Sequence, residues 1–213
     1  APTEIDAAKK IFLPKKDLFI EPLLLVYGDQ SQSDIHLLFA KSYLLDYCQD
    51  SPEKLFESLG LSPQKYFQEF FQLLEPFRDS AIQQGLDSLT VEIPVSESDE
   101  MVIRRQANIG LMLLKLGQQE SVWPVLQTSP NPSVRTHLIH WIPKQGVPPE
   151  LLFKQYEKET REDVRHSLLL TLGEYDESQL PDQTRRRYAQ ALLKDYVTVK
   201  DSGTHGAIDW LLR

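Results

Sequence analysis

The stretch from Asn131 to Gly146, NPSVRTHLIHWIPKQG, and the stretch from Arg161 to Tyr175, REDVRHSLLLTLGEY, carry one pattern twice. Val134-Arg135 and Val164-Arg165 stand 30 residues apart, and Leu138, Ile139 and Ile142 then fall on Leu168, Leu169 and Leu172. A weaker third copy, offset by 40 residues from the second, puts Thr204-His205, Ile208 and Leu212 in matching places. A weak earlier copy is ANIGLMLLKLG, where Met112, Leu113, Leu116 and Gly117 match Leu168, Leu169, Leu172 and Gly173. Aliphatic residues at such spacings lie on one face of a helix. One helix pair cannot bury that face alone, so its neighbours must stack on it. Helix pairs recurring every 30 to 40 residues are the pattern of HEAT and armadillo proteins. The expected fold class is all-α, an α-solenoid of antiparallel helix pairs.

The rest of the chain reads as helices with clear stops. SPEKLFESLG predicts Ser51 as N-cap, Pro52 in the first turn, Leu55, Phe56 and Leu59 on one face and Gly60 as stop. SPQKYFQEFFQLL repeats the formula with Ser62 and Pro63, then Tyr66, Phe67, Phe70, Phe71 and Leu74. SDIHLLFAKSYLLDYC predicts a stripe of Ile35, Leu38, Phe39, Tyr43, Leu44 and Tyr47, capped by Ser33 or Asp34. Further helices are expected near 100–117, 119–127, 132–144, 148–159, 161–173, 182–197 and 203–213. DSLTVEIPVSESDE breaks the rhythm, with β-branched residues, Pro94 and a run of acids. The expected organisation is an N-terminal helical region at 1–90, an acidic linker or loop at 91–99, and a repeat region at 100–213.

Charge is spread unevenly over the 213 residues. Residues 1–100 hold 8 Lys+Arg against 18 Asp+Glu, a net −10. Residues 101–149 hold 5 against 1, net +4, and residues 150–213 hold 10 against 12, net −2. The overall −8 argues against a general nucleic-acid binder. A basic middle beside an acidic first half suits docking within the chain or onto a partner. No apolar run approaches the roughly 20 residues that span a bilayer, so no membrane partner is expected. Cys48 is the sole cysteine, which rules out an internal disulfide or a cysteine-rich zinc site. A start at APTEID, without Met, reads as an excised or processed piece.

Known catalytic patterns are missing from the sequence. It has no glycine-rich phosphate loop, nucleophile elbow or His-Glu-x-x-His. His137 and His140 sit at i and i+3, a metal spacing, yet no acid or cysteine stands near them in sequence, and zinc wants three or four ligands. No catalytic residue, cofactor or metal is therefore expected. Arg135, Arg165 and His205 share the second position of the repeated helix. There they predict a structural ladder, bonding a preceding helix end or an acid of the next repeat. The alternative is a row that binds an anionic partner. Trp141, with Trp123 and Trp210, is either an interface anchor or core, and Trp141 and Trp210 are read as core packing.

The segment from Arg105 onward resembles a known family. RQAN, LLKLG, VWPVL, SPNPSVRTHLIH, RHSLLLTLGEYDESQLP and HGAIDWLLR together resemble a HEAT-like helical segment of large bacterial multidomain proteins of planctomycete and cyanobacterial type. The likeness is detailed over 104–213, fainter over 30–90, and absent from the first 30 residues. In that family the segment lies beside Ser/Thr kinase, formylglycine-generating-enzyme-like or caspase-like domains. The resemblance implies a covalent neighbour beyond Arg213 and carries no catalytic residue with it. The expected function is a non-enzymatic scaffold in the cytoplasm that positions or regulates a linked catalytic domain or a partner protein. One alternative is a sensor or substrate-recruitment subunit of a protease, kinase or defence assembly. Another is a HEAT-fold enzyme such as a base glycosylase or a pigment lyase, which fold analogy alone permits.

Overall fold

The computed structural model describes residues 2–29 and 31–212 and is all-α, with no strand among the described residues. It divides into two compact units, Ala1–Leu89 with Asp99–Met112, and Thr90–Ser98 with Leu113–Arg213.

The first unit contains α1 (Pro2–Phe12), α2 (Asp17–Gly28), α3 (Asp34–Tyr47), α4 (Pro52–Leu61), α5 (Phe67–Leu74), α6 (Arg78–Ser88) and most of α7 (Glu100–Lys115). Ser33 caps α3 by accepting from the His36 N–H at 3.3 Å. Ser51 takes the N-cap position of α4 as expected, though its side chain makes no capping bond, whereas Ser62 ends α4 and does not open the next helix. Ser51 turns its hydroxyl to Glu53 at 3.4 Å, and Ser62 turns back to the Ser58 carbonyl at 3.1 Å while meeting the Tyr27 hydroxyl at 3.0 Å. The stripe read on α3 is also out of phase. Leu37, Ala40, Leu44 and Tyr47 are buried, whereas Ile35, Leu38 and Phe39 face outward. Apolar residues surround that helix, so tertiary packing picks the buried face and periodicity does not. On α5 the reading agrees, with Phe67, Phe70, Phe71 and Leu74 all buried.

The RQAN motif on α7 has a plain structural role. A helix leaves its last four carbonyls without partners, and α4 ends in the core. Asn108, fully buried, gives its side-chain N–H groups to the carbonyls of Leu59, Gly60 and Ser62 at 3.0, 3.0 and 2.9 Å. Its own oxygen accepts from Gln64 at 2.7 Å. Arg104 reaches the Leu61 carbonyl at 3.3 Å, and Ser62 covers that of Ser58. The four orphan carbonyls of α4 are thus satisfied. Gln106 does the same for α6, donating to the Ser88 carbonyl at 3.0 Å. The stem of Arg105 covers Gly60 at 3.1 Å from where a β-carbon would stand.

The second unit contains the last turn of α7, α8 (Gln119–Val122), a 3-10 turn at Trp123–Leu126, α9 (Ser133–Trp141), α10 (Pro149–Lys158), α11 (Glu162–Gly173), α12 (Asp182–Thr198) and α13 (Ser202–Leu212). α7 stops where Gly117 takes a φ of 80°, with Gln118 N–H bonded to the Leu113 carbonyl at 2.8 Å and Gly117 N–H to that of Leu114 at 3.1 Å. That geometry closes a helix on a left-handed residue, which glycine alone adopts without cost. α11 is the centre of this unit and packs on α9, α10 and α13, while α12 packs on α13. The repeated positions fill the core: Val134, Val164 and Thr204, then Leu138, Leu168 and Ile208, are all buried, as are Ile142, Leu169 and Leu172.

Two segments differ from their expected behaviour. The repeat region was read from residue 100, yet Glu100–Met112 belongs to the first unit, because Arg104, Gln106 and Asn108 spend their polar atoms there. The acidic loop is fastened to its own unit. Asn131 donates to the carbonyls of Pro94 and Glu97, both at 3.0 Å, and Ile93 is buried. Among the tryptophans, Trp123 is the one in the core, at 1% exposed, while Trp210 is 51% exposed. No described helix is long and apolar enough to cross a membrane.

Candidate functional site

The repeated helices α9, α11 and α13 pack in chain order, and a groove runs between the first two. Thr136 and His140 stand one turn apart on α9. His166 and Leu170 stand one turn apart on α11, and Glu174 follows just past its end. Arg135 and Ile139 complete the α9 wall, and Trp210 of α13 closes one side. The groove holds about 310 Å³. Trp210 comes close to α11 because Gly173 has no side chain; a β-carbon there would sit 1.9 Å from the indole ring. His140 Nδ1 is 3.1 Å from Glu174 Oε2, which ties α9 to α11 across the groove. A second depression, at the starts of α11 and α13, shares His166. Burial, and then the charge of Arg135, holds the His166 imidazole below its ordinary pKa, against a smaller opposing pull from Asp201.

The starts of α11 and α13 are already occupied by the chain's own acids. Asp163 accepts from the Thr128 N–H and Asp201 from the Thr204 N–H, each at 2.6 Å. Glu159, at the end of α10, orients the turn into α11. It accepts from Arg161 through Nε at 3.0 Å and Nη2 at 2.9 Å, from the backbone of Thr160 and Arg161, and from Gln155 at 2.9 Å. Arg161 is the largest reason its carboxyl pKa falls from an ordinary 4.5 to about 2, with burial opposing. A carboxylate depressed in the folded state stabilises the fold above its unfolded pKa and loses that contribution as pH falls toward the folded value. Glu159→Gln is therefore expected to remove part of the acid sensitivity between about pH 4.5 and pH 2. Melting temperatures of both proteins across that window test it.

The four residues singled out from the sequence go to different places. Arg165 turns toward α12, where its Nη2 is 2.8 Å from Asp195 and its guanidinium lies over the Tyr156 ring at 4.5 Å. Tyr156 also donates to Asp195 at 2.7 Å, so one cluster joins α10, α11 and α12. Burial, and then that bond to Asp195, pushes the Tyr156 phenol up to about 12. His205 likewise reaches α12, with its ring 4.0 Å from that of Tyr196. Arg135 bonds Thr128 Oγ1 at 3.1 Å and lines the groove. Trp141 stacks on His137 at 4.2 Å. His166 and Glu174 went unread in sequence as site residues, and Trp210, weighed as an interface anchor, was read as core. The available signal was the i, i+4, i+8 line of His166, Leu170 and Glu174, which faces away from the core stripe.

Arg165→Ala is expected to cost ~1–3 kcal/mol, the range for a partly buried charged hydrogen bond. Arg135→Ala, losing one bond to a surface hydroxyl, should stay within ~0.5 kcal/mol. Chemical denaturation of the two variants checks the contrast. Equal losses would restore the reading of two equivalent structural arginines.

Among the described residues no group of three or more His, Cys, Asp or Glu side chains is arranged to hold a metal ion. No family model, no curated protein and no solved structure matches the chain. Chemically the groove pairs an aliphatic floor with an arginine, which suits recognition of a ligand.

Proposed function

We propose that the chain is a non-enzymatic helical-repeat module, an α-solenoid segment that positions or regulates a linked catalytic domain or a partner protein. The carrying observation is the recurrence of one side-chain pattern in α9, α11 and α13, which pack on one another in chain order. Alternate helices α10 and α12 give the second row, joined by Tyr156 to Asp195 and by the Phe153 and Tyr188 rings stacked at 3.8 Å. Stacked pairs of this kind present an extended face suited to a partner. The resemblance of RQAN, VWPVL and the repeated Val-Arg helices to segments beside catalytic domains supports the same reading.

The test has two arms. A photo-reactive residue at Leu170, in the groove, should capture a specific partner or linked domain, and the same residue at exposed Val197 on α12 should not. Assays for hydrolase, kinase and glycosylase turnover should stay blank. Turnover that survives purification and vanishes on a single substitution in this chain would overturn the proposal.

A further inference from the structure

The groove between α9 and α11 joins an aliphatic floor to a cation that the fold leaves without an acid. Ile139 and Leu170 supply the floor and Trp210 one wall. Arg135 stands beside them, half-buried, bonded to a neutral hydroxyl. Its repeat equivalent shows what such an arginine takes when the chain provides for it. Arg165 has Asp195 at 2.8 Å and an aromatic ring beneath it. Among the described residues no carboxylate lies within 4.0 Å of the Arg135 guanidinium. The acid inside the groove, Glu174, is already met by His140 at 3.1 Å. The groove's lining thus carries Arg135, bonded to a hydroxyl, and one carboxylate, Glu174, which faces His140.

A guanidinium offers five N–H donors in a planar fork that matches a carboxylate. A cavity of about 310 Å³ is at the lower end of ligand pockets. We propose that this groove takes a peptide segment bearing an aliphatic side chain next to a carboxylate, with the aliphatic group between Ile139, Leu170 and Trp210 and the carboxylate on Arg135. The inference rests on the reading of the chain as a binding module and names the class of partner for that face. The aliphatic group gains burial against the indole, and the carboxylate gains a charge-assisted pair that exposed solvent competes with only from one side.

The full chain, isotope-labelled, is titrated with N-acetyl-leucine and, separately, with uncharged N-acetyl-leucinamide. Resonances of the Trp210 indole and of Leu170 should move with N-acetyl-leucine, with a Kd on the order of 1–10 mM for so small a ligand. The amide should bind about two- to fivefold more weakly, the size of one solvent-exposed ion pair. Arg135→Gln should erase that difference, Arg135→Lys should keep part of it, and Trp210→Ala should weaken both probes. Equal binding of acid and amide, or an unchanged preference in Arg135→Gln, overturns the proposal. A chain silent to both probes that still captures a partner through Leu170 also overturns it, while leaving the module reading in place. Turnover in the enzyme assays would strike that reading instead.

Discussion

Leu169→Ala is expected to lower stability by ~2–5 kcal/mol, the range for deleting a buried leucine from a core that cannot collapse around the gap. Leu169 is fully buried on α11, the helix that packs on α9, α10 and α13 at once. Several partners must move together to fill the space, and each of those helices is held elsewhere. α11 is tied to α12 by Arg165, and its start is tied to Thr128 through Asp163. Collapse is therefore restricted, and the cavity term adds to the lost transfer energy. Chemical denaturation with a shared m-value measures the loss. A change below about 0.5 kcal/mol, the scale of an indifferent surface site, would mean that the repeated stripe is not the core of this unit.

The buried face of α9 and α11 was legible because a packed helix must place aliphatic residues at fixed intervals, as Val134, Leu138 and Ile142 and then Val164, Leu168 and Leu172 do, all of them buried. The groove was much harder to read. It depends on which side of α9 and α11 remains open after packing, and a helical period gives a face without saying what lies against it. Arg135 and Arg165 illustrate the limit. They occupy the same place in the pattern, yet one meets an acid on α12 and the other a hydroxyl on the preceding loop. The difference lies in Asp195, 30 residues beyond Arg165 and outside any repeat alignment made from apolar positions. α3 failed for a related reason. With apolar residues on every side, its burial is decided by α2, α4 and α5, which it packs against. Trp123 was passed over because it opens a short 3-10 turn and belongs to no stripe.

Asn108→Ala should cost more than its size suggests, ~3–5 kcal/mol, because the loss falls on the groups it leaves behind. The carbonyls of Leu59, Gly60 and Ser62 converge on one amide, at 3.0, 3.0 and 2.9 Å, in a place closed to water. A buried acceptor left unpaired costs about 1–3 kcal/mol. The loss is not three such terms, since the Leu59 carbonyl keeps the Ser62 N–H at 3.1 Å, the end of α4 can loosen, and Gln64, freed from the Asn108 oxygen, can turn toward one of the others. Asn108→Asp separates shape from chemistry. Its carboxylate has the same outline but no hydrogen to give once ionised, and it would set a negative charge against three carbonyl oxygens. That variant should be at least as unstable as Asn108→Ala at neutral pH, although it leaves no cavity. A cavity-only account predicts the opposite order, with the aspartate close to the native protein. Thermal melts of both variants decide between these orders. If the donors matter, the motif Arg105-Gln106-Ala107-Asn108 is kept together because one turn of α7 must close two helices at once, α4 through Asn108 and α6 through Gln106.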